Sequence, residues 1–259
     1  MNDDRARGRL MLVPTPLDFG IHDHGPRPDL QEVLPLGVIR QAATLTHWVA
    51  ENARSARAFL KRVDAIVPLA LPMQAQHISE LPRPLKGARD PQPPVLDALL
   101  APALQGHDIG LVSEAGLPAV ADPGALLVQA AHRLGVAVLP LAGASSLMLA
   151  LAASGLNGQS FAFAGYLPVE AAARAARVRE LETWSRRACQ TQLLIETPYR
   201  NPALLAALLT HLQPATRLSV SCGLTLHDGW TRSDSVAAWR VRSSRLPADV
   251  PAVFALQAA

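Results

Sequence analysis

Short apolar segments alternate with longer segments of helical periodicity through most of the chain. From residue 94 onward, "DIGLVS", "VAVLPL" and "FAFAG" have the pattern of buried strands. The segments "PVLDALLAPAL", "DPGALLVQAAHRL" and "SSLMLALAAS" between and around these strands are predicted to be helices. A regular alternation of apolar strands with helices predicts parallel βαβ units in which helices cover both faces of the sheet.

The N-terminal part begins with a short strand, "RLMLVP", which ends at Pro14. "PLGVIRQAATL" places Val38, Ala42 and Leu45 on one face and predicts a helix. "THWVA" is predicted to be a strand, and "ENARSARAFLKRV" a basic helix. The segment "DFGIHDHGPRPDLQEVLP" is predicted to be a loop, and residues 72–94, rich in proline and charge, a mobile surface segment.

The C-terminal part repeats the alternation after a break near Gly165 to Pro168. A charged helix, "AAARAARVRELETWSRRA", is followed by strand "TQLLIE" and helix "PALLAALLTHL". Strand "RLSVSC" and a final strand, "AVFALQ", complete the pattern. The break predicts two α/β domains, an N-terminal domain of residues 1–164 and a C-terminal domain of residues 165–259.

Composition narrows the class of protein. Hydrophobic residues make up 49% of the 259 residues and charged residues 17%, which excludes a disordered or fibrous chain. Glycines and prolines interrupt every long apolar run, so we expect no membrane span. The first residues lack the pattern of a signal peptide, and we expect a cytoplasmic protein. Cys189 and Cys222 do not have metal-ligand spacing with histidines, so we expect reduced thiols and no metal site.

The small excess of basic over acidic residues allows two interpretations. The net charge is +3 and the pI about 9.3, and Lys61 and Lys86 are the only lysines among 24 basic residues. Arginine suits bidentate contact with phosphate, which favours a nucleic-acid partner. No dense basic cluster is visible, however, and a solvated arginine-rich surface explains the same composition.

Two glycine-containing loops follow neighbouring predicted strands. Glu114 lies in "SEAGLP" after one strand, and "PLAGASS" follows the next strand and opens a helix. Ligands of open α/β sheets bind beyond the carboxyl ends of strands, where Gly116 lets the backbone approach closely. The pattern predicts a site for a nucleoside-like ligand near Glu114 and Gly143, without a dinucleotide or Walker fingerprint. Asp122, directly before Pro123, is predicted to be a helix N-cap.

Six motifs in chain order give the sequence a resemblance to a known family. They are "VPTP", "ENAR", "LVSEAGLPAVADPG", "LPLAGASS", "FAFAGYLP" and "ETPYR". Together they resemble motifs of the tetrapyrrole methylase superfamily of S-adenosylmethionine-dependent methyltransferases. Within that superfamily the chain is most similar to the branch of ribosomal RNA ribose 2′-O-methyltransferases.

The resemblance implies a two-domain α/β fold with mostly parallel sheets, S-adenosylmethionine in the cleft between the domains, and a homodimer. Ribosomal RNA or the small ribosomal subunit is the implied partner. The cofactor contacts implied by motif position are Pro14, Thr15, Pro16, Glu114, Ala115, Gly116, Leu117, Pro118, Ser145, Ser146, Leu147, Leu167, Glu196, Thr197, Pro198 and Cys222.

Methyl transfer to a hydroxyl needs an aligned acceptor and a base, for which Glu51 is the candidate. Arg54 is its charge partner or a phosphate contact, and Arg57, Lys61 and Arg200 are candidate substrate contacts. Arg62 extends the same basic helix face. Each candidate also has a structural explanation: Glu51 as an ordinary helix-start acid, and Glu196 with Arg200 as an exposed pair at the start of a helix.

The chain departs from the branch at several positions. Asp18 and Phe19 stand where the branch has glycine and asparagine, and "ENAR" lacks one acid of the E-D-T-R motif. In "SCGLTL", Cys222, Gly223 and Leu226 stand where the branch has charged residues. Three functions therefore remain open: methylation of RNA, methylation of a tetrapyrrole or other small molecule, and binding of the cofactor or RNA without catalysis.

Overall fold

The computed structural model describes residues 7–18, 28–82, 93–242 and 245–259. The chain divides into two compact units, Met1–Ala144 and Ser145–Ala259. Each unit contains a five-stranded sheet covered by helices, so the predicted α/β class is confirmed. None of the helices in the described ranges is long and apolar enough to cross a membrane.

The sheet of the first unit is entirely parallel and has the strand order β3-β2-β4-β1-β5. Its strands, in chain order, are β1 (Arg9–Leu12), β2 (His47–Ala50), β3 (His77–Glu80), β4 (Ile109–Val112) and β5 (Ala137–Pro140). Its helices are α1 (Leu30–Val33), α2 (Leu36–Thr44), α3 (Ala53–Asp64), α4 (Pro93–Leu99), α5 (Ala101–Leu104) and α6 (Ala125–Arg133), with a 3-10 turn at Met73–Ala75.

Strand β3 lies inside the segment that we predicted to be a mobile surface. It pairs with β2 at the edge of the sheet, and the buried Gln76 just before it accepts a hydrogen bond from the Trp48 indole at 3.1 Å. The segment predicted to be a loop contains the short helix α1, capped by the Asp29 side chain. Residues 83–92, also part of the predicted mobile segment, lie outside the described residues.

Helices cover both faces of the first sheet, as its continuous apolar strands predict. Met11 and Trp48 pack on one face with residues of α2 and α3, including Leu60. Leu10 and Val49, their neighbours along the strands, pack on the other face with α4 and α6. Burying a large apolar side chain contributes about 1.5–3 kcal/mol, so these two layers stabilise the unit and fix where its strands end.

The sheet of the second unit is mixed, with the strand order β6-β7-β10-β8-β9. Its strands are β6 (Phe161–Gly165), β7 (Thr191–Glu196), β8 (Arg217–Cys222), β9 (Trp230–Ser235) and β10 (Ala252–Gln257). Its helices are α7 (Ser146–Ser154), α8 (Ala171–Ala188), α9 (Asn201–His211) and α10 (Val236–Val241), with a 3-10 turn at Pro198–Arg200.

The prediction of mostly parallel sheets holds for the first unit but not for the second. β6 and β7 pair in parallel, whereas β10 pairs antiparallel with both β7 and β8, and β8 with β9. The polar strand β9, "WTRSDS", follows β8 after a short loop with no crossover helix, so these two strands run in opposite directions. Its polar sequence gave no strand signal.

The division after Ala144 falls earlier in the chain than the predicted boundary after residue 164. The difference concerns α7 and β6. α7 packs against β10, and β6 forms its hydrogen bonds with β7, so both elements belong to the second unit. Periodicity identifies these elements correctly but contains no information about which sheet a strand joins.

We predict that Gly110→Ala destabilises the first unit. A Cβ atom at this position would lie 2.4 Å from the ring of Trp48, which is fully buried and has little room to move. Overpacking of this kind costs about 1–3 kcal/mol, and the melting temperature should fall by ~2–4 °C for each kcal/mol. Thermal unfolding followed by circular dichroism measures the change.

Gly37→Ala is the matched control, since a Cβ atom there has no neighbour within 4 Å and the residue lies exposed in helix α2. This variant should be neutral or more stable, because alanine favours the helix. Equal melting temperatures for the two variants would contradict the role assigned to Gly110.

Candidate functional site

Acidic residues emerge side by side from two neighbouring strands of the first sheet. β2 and β4 are parallel, with Ala50 beside Val112, and the Glu51 N–H donates to the Val112 carbonyl at 3.2 Å. Glu51 and Glu114 therefore both follow strand ends at the same edge of the sheet. The carboxyl ends of parallel strands are where ligands bind in open α/β sheets.

Direct contacts join these two acids. The Glu114 N–H donates to Glu51 Oε2 at 3.3 Å, and Asn52 Nδ2 donates to Glu114 Oε1 at 3.0 Å. Asn52 Oδ1 accepts from the Arg54 N–H at 2.9 Å and caps helix α3. Asn52, which sequence reasoning did not select, thus links the helix start to Glu114. Its position as N-cap also shows that Glu51 precedes the helix.

The prediction that Asp122 caps helix α6 is wrong. The helix begins at Ala125, and its N-cap is Gly124 with φ 129°. The Asp122 carboxyl is instead part of the acidic cluster, which we define as Glu51, Glu114 and Asp122. Burial, followed by the charges of Glu51 and Glu114, raises the pKa of Asp122 to about 7, and the Ser113 side chain offsets part of this shift.

The turn that carries Asp122 has an unusual backbone. Ala119 has φ 65° and Ala121 φ 63°, both in the left-handed region that disfavours residues with a Cβ atom. Each such alanine costs roughly 1–2 kcal/mol, which the surrounding structure must offset. Proline and glycine spacing alone predicted an ordinary helix start here, and these left-handed residues explain why the helix begins later.

The "VPTP" loop contacts the Glu114 loop through its backbone. Thr15 and Gly116 exchange two hydrogen bonds, at 2.9 and 3.0 Å. A Cβ atom on Gly143 would lie 2.3 Å from the Pro14 ring, so the "PLAGASS" loop also lies directly against this segment. The first unit therefore brings together Pro14, Thr15 and Gly116, with Ala115, Leu117 and Pro118 on the same loop.

A small cavity of about 10 Å³, room for about one water molecule, lies beside these loops. Within it, Arg62 pairs with the buried Asp18 at 2.7 Å, so Arg62 does not extend the exposed basic face as expected. The Ser113 hydroxyl is buried beside this cavity, and its side chain interacts with the Asp122 carboxyl. The lining residues are Thr15, Pro16, Asp18, Ser55, Phe59, Arg62, Ser113 and Glu114.

Helix α3 presents three of the predicted basic residues to solvent. Arg54, Arg57 and Lys61 are exposed on successive turns that follow Glu51. Within the described ranges, Arg57 donates one long hydrogen bond, 3.4 Å, to the Ala53 carbonyl. These side chains are accessible to a large polyanionic partner, and a solvated helix face has the same appearance.

In the second unit, Glu196 and Cys222 lie at the ends of β7 and β8, on either side of Ala252 in β10. Glu196 is buried, accepts from the Thr197 N–H at 2.8 Å and pairs with Arg200 at 2.9 Å. The alternative of an exposed pair is therefore wrong. Pro198 opens the 3-10 turn that carries Arg200 back to Glu196.

Several predicted cofactor contacts of the second unit have side chains in its core. Leu147 packs with Leu193 and Val253, and Leu167 is also buried in the core. Cys222 is 2% exposed, and burial followed by the charge of Asp249 raises the pKa of its thiol. Ser145 and Ser146 begin helix α7. The side chains of the two leucines and of Cys222 therefore stabilise the core of this unit.

The described residues include no group of three or more histidine, cysteine, aspartate or glutamate side chains arranged to hold a metal ion.

Comparison with solved structures shows which fold the chain has. The methyltransferase CobJ matches with a TM-score of 0.57 and 15% identity, over 97% of this chain and 95% of that chain. A putative cobalamin synthesis related protein, CobF from Corynebacterium diphtheriae, matches with a TM-score of 0.57 and 14% identity, over 98% of each chain. No family model matches the chain. The chain has the tetrapyrrole methylase fold.

The names of proteins with similar sequences agree with the family that the six motifs indicate. Ribosomal RNA small subunit methyltransferase I of Pseudomonas aeruginosa is 31% identical over 195 residues, 75% of this chain and 58% of the relative. The protein of the same name from Xylella fastidiosa is 33% identical over 174 residues, 67% of this chain and 54% of the relative. The chain is thus related to this methyltransferase branch and spans a little over half the length of these relatives.

We predict that the stability of Asp122→Asn, taken relative to that of the wild type at the same pH, is greater at pH 8 than at pH 5. The folded state raises the pKa of Asp122 from 3.8 to about 7, so this group contributes stability below about pH 4. The wild type loses that contribution as the pH rises through 7. The amide of the variant does not ionise, so the variant has no such loss. The melting temperature of each protein, measured between these two pH values, gives the difference.

Asp97→Asn controls for the change in net charge, since Asp97 is a half-buried carboxylate paired with Arg133. If Asp122→Asn and the wild type differ by the same amount at both pH values, the pKa of Asp122 is not raised in the folded protein.

Proposed function

We propose that the chain is an S-adenosylmethionine-dependent methyltransferase that acts on RNA, with the hydroxyl of a ribose in small-subunit ribosomal RNA as the acceptor. The similarity to proteins named ribosomal RNA small subunit methyltransferase I is the observation that carries this proposal. A homodimer, which rests on the motif resemblance, and a cytoplasmic location are also part of the proposal.

The residues of the first unit fit this cofactor. S-adenosylmethionine carries positive charge on its sulfonium and its ammonium group, and the acidic cluster supplies negative charge at a sheet edge. Gly116 and Gly143 let the loops after β4 and β5 lie directly against the loop after β1, which brings the backbone of all three loops to the same edge of the sheet. When bound, the cofactor supplies an electrophilic methyl group.

Pro14, Thr15, Pro16 and residues 114–118 are the first-unit residues that would hold the cofactor. Ser145, Ser146, Leu147, Leu167, Glu196, Thr197, Pro198 and Cys222, which the resemblance also implies, stay predictions for the second unit.

The protein's part in methyl transfer is to hold and orient the acceptor. In-line displacement is accelerated mainly by alignment of the reacting groups, and an RNA acceptor is held through its phosphates. Arg54, Arg57 and Lys61, exposed beside Glu51, are the proposed phosphate contacts, with Arg200 as a further substrate contact. Glu51 is positioned next to Glu114 and takes part in orienting the site.

Mass spectrometry of ribosomal RNA nucleosides, with and without the gene, tests the RNA acceptor. We expect one methylated nucleoside to be missing from the deletion strain and restored by the wild-type gene. Titration calorimetry with S-adenosylmethionine should give saturable heat with the folded protein.

Unchanged nucleosides together with cofactor binding would move the acceptor to a small molecule such as a tetrapyrrole, the alternative that the CobJ and CobF likeness keeps open. Binding with no methylated product in either class would indicate a binding module. Absence of binding would reject the proposal altogether.

We predict that Arg54→Ala weakens RNA binding and reduces its salt dependence while leaving cofactor affinity nearly unchanged. Removing one phosphate contact should lower the slope of log K against log salt by about 1. Filter binding of a ribosomal RNA fragment between about 50 and 200 mM salt measures the slope.

Arg179→Ala, on the exposed side of helix α8, is the control with the same change in charge. Identical slopes for Arg54→Ala, Arg179→Ala and the wild type would remove Arg54 from the RNA site.

A further inference from the structure

We propose that a second binding site lies at the amino ends of the strands of the first sheet, where three stacked histidines and an adjoining cavity fit a small organic anion. His77 and His47 begin β3 and β2, and His107 lies just before β4. Glu51 and Glu114 follow the opposite ends of the strands, and β2 separates the two ends by roughly 10 Å. The proposal is therefore independent of the proposed function.

The three imidazoles of His77, His47 and His107, which we call the histidine row, stack on one another. The ring centroids of His47 and His77 are 4.8 Å apart with an interplanar angle of 16°. Those of His47 and His107 are 4.9 Å apart with an angle of 28°. His77 and His107 are exposed and His47 is half-buried, so a solute can reach the row from solvent.

A cavity of about 270 Å³ adjoins the histidine row. The pairing of β2 with β3 places its polar groups together, since His47 lies beside His77 and Val49 beside Ser79. Its polar lining residues are His47, His77 and Ser79, and its apolar ones include Val49, Leu99 and Ile109. An apolar cavity of about 150 Å³ holds benzene, so this one has room for an aromatic ring with a charged substituent. Apolar walls with a few placed polar groups are typical of ligand sites.

The charge of the row determines the class of ligand. Each imidazole that takes up a proton adds a positive charge beside the others, and like charges at this distance repel one another. Burial, followed by the neighbouring His107 and His77, lowers the pKa of His47. A carboxylate in the cavity would offset this repulsion, so anion binding and protonation of the row should favour each other.

The acids on the described parts of the surrounding elements already have partners. Asp108 pairs with Arg9 at 2.7 Å, and Asp97 of α4 pairs with Arg133. Glu80 lies at the far end of β3, where it accepts a backbone hydrogen bond from the start of α3. An added anion is therefore better placed than these acids to neutralise a protonated row.

The geometry of the row suits a metal ion less well. Imidazole binds metals through a lone pair in the plane of the ring, and near-parallel rings do not direct these lone pairs to one point. Within the described ranges, the histidines are not part of a group arranged to hold a metal ion.

Benzoate is the probe for this site, because it joins a carboxylate to a single aromatic ring. The full chain is titrated with benzoate at pH 5.5 and pH 8, with EDTA present, and binding is followed by the NMR signals of the histidine rings. Imidazoles gain charge as the pH falls through about 6.5. We expect binding to be about tenfold tighter at pH 5.5, the change that corresponds to a shift of about one pKa unit in the row.

His77→Gln removes one imidazole at an exposed position and should weaken benzoate binding at pH 5.5 by about tenfold. His107→Gln, outside the strands, gives a second measure that does not alter the edge strand, and should weaken binding in the same direction. His132→Gln, exposed on α6, is the matched control and should bind benzoate as the wild type does.

Two further probes separate charge from shape. Benzamide has the shape of benzoate without its charge, and should bind weakly and equally at both pH values. Inorganic phosphate has charge without a ring, and should bind more weakly than benzoate.

Equal benzoate affinity at the two pH values, or an equal effect of His77→Gln and His132→Gln, would reject the anion site. Phosphate binding as tight as that of benzoate would reject the role of the apolar wall. Displacement of benzoate by S-adenosylmethionine would place the probe near Glu114 instead, and would also overturn the proposal.

Discussion

Repulsion among three carboxylates is the constraint on which this site depends. Glu51 and Glu114 are brought together by the parallel pairing of β2 with β4, and Asp122 reaches them from the turn before α6. Like charges in a half-buried place disfavour one another's ionised forms. The site tolerates this arrangement because hydrogen bonds from Asn52 and from the Glu114 backbone hold two of the acids, while the third is able to take up a proton.

The surrounding backbone is arranged to keep these acids in place. The hydrogen bonds between Thr15 and Gly116 join the loop after β1 to the loop after β4. Close contact of Gly143 with Pro14 adds the loop after β5. Left-handed alanines at positions 119 and 121 shape the turn that carries Asp122. Three neighbouring strands thus contribute rigid loops to one edge, and rigid support is what a precisely oriented site requires.

The sequence pattern predicted the helices and strands better than it predicted how they pair and pack. Continuous apolar strands and helical spacing identified the first sheet, and the pattern correctly placed Glu114 just after one of its strands. Asp122 was misassigned because Asp-Pro-Gly spacing is the same in a helix start and in a strained turn. β9 was missed because its residues are polar, and β6 was placed in the wrong unit because pairing is a non-local property. The hydrogen bond from Asn52 to Glu114 could not be predicted, because it depends on the register of β2 with β4.

The departure of "ENAR" from the E-D-T-R motif acquires a physical meaning from this arrangement. An acid at position 52 could cap helix α3 as asparagine does, since both side chains offer an oxygen to the Arg54 N–H. An ionised acid could not donate to Glu114, and it would add a fourth negative charge to the cluster. Asn52 performs the cap with its oxygen and stabilises Glu114 with its amide. The lost acid therefore leaves the Glu114 carboxyl with an amide donor and adds no further carboxylate to the cluster.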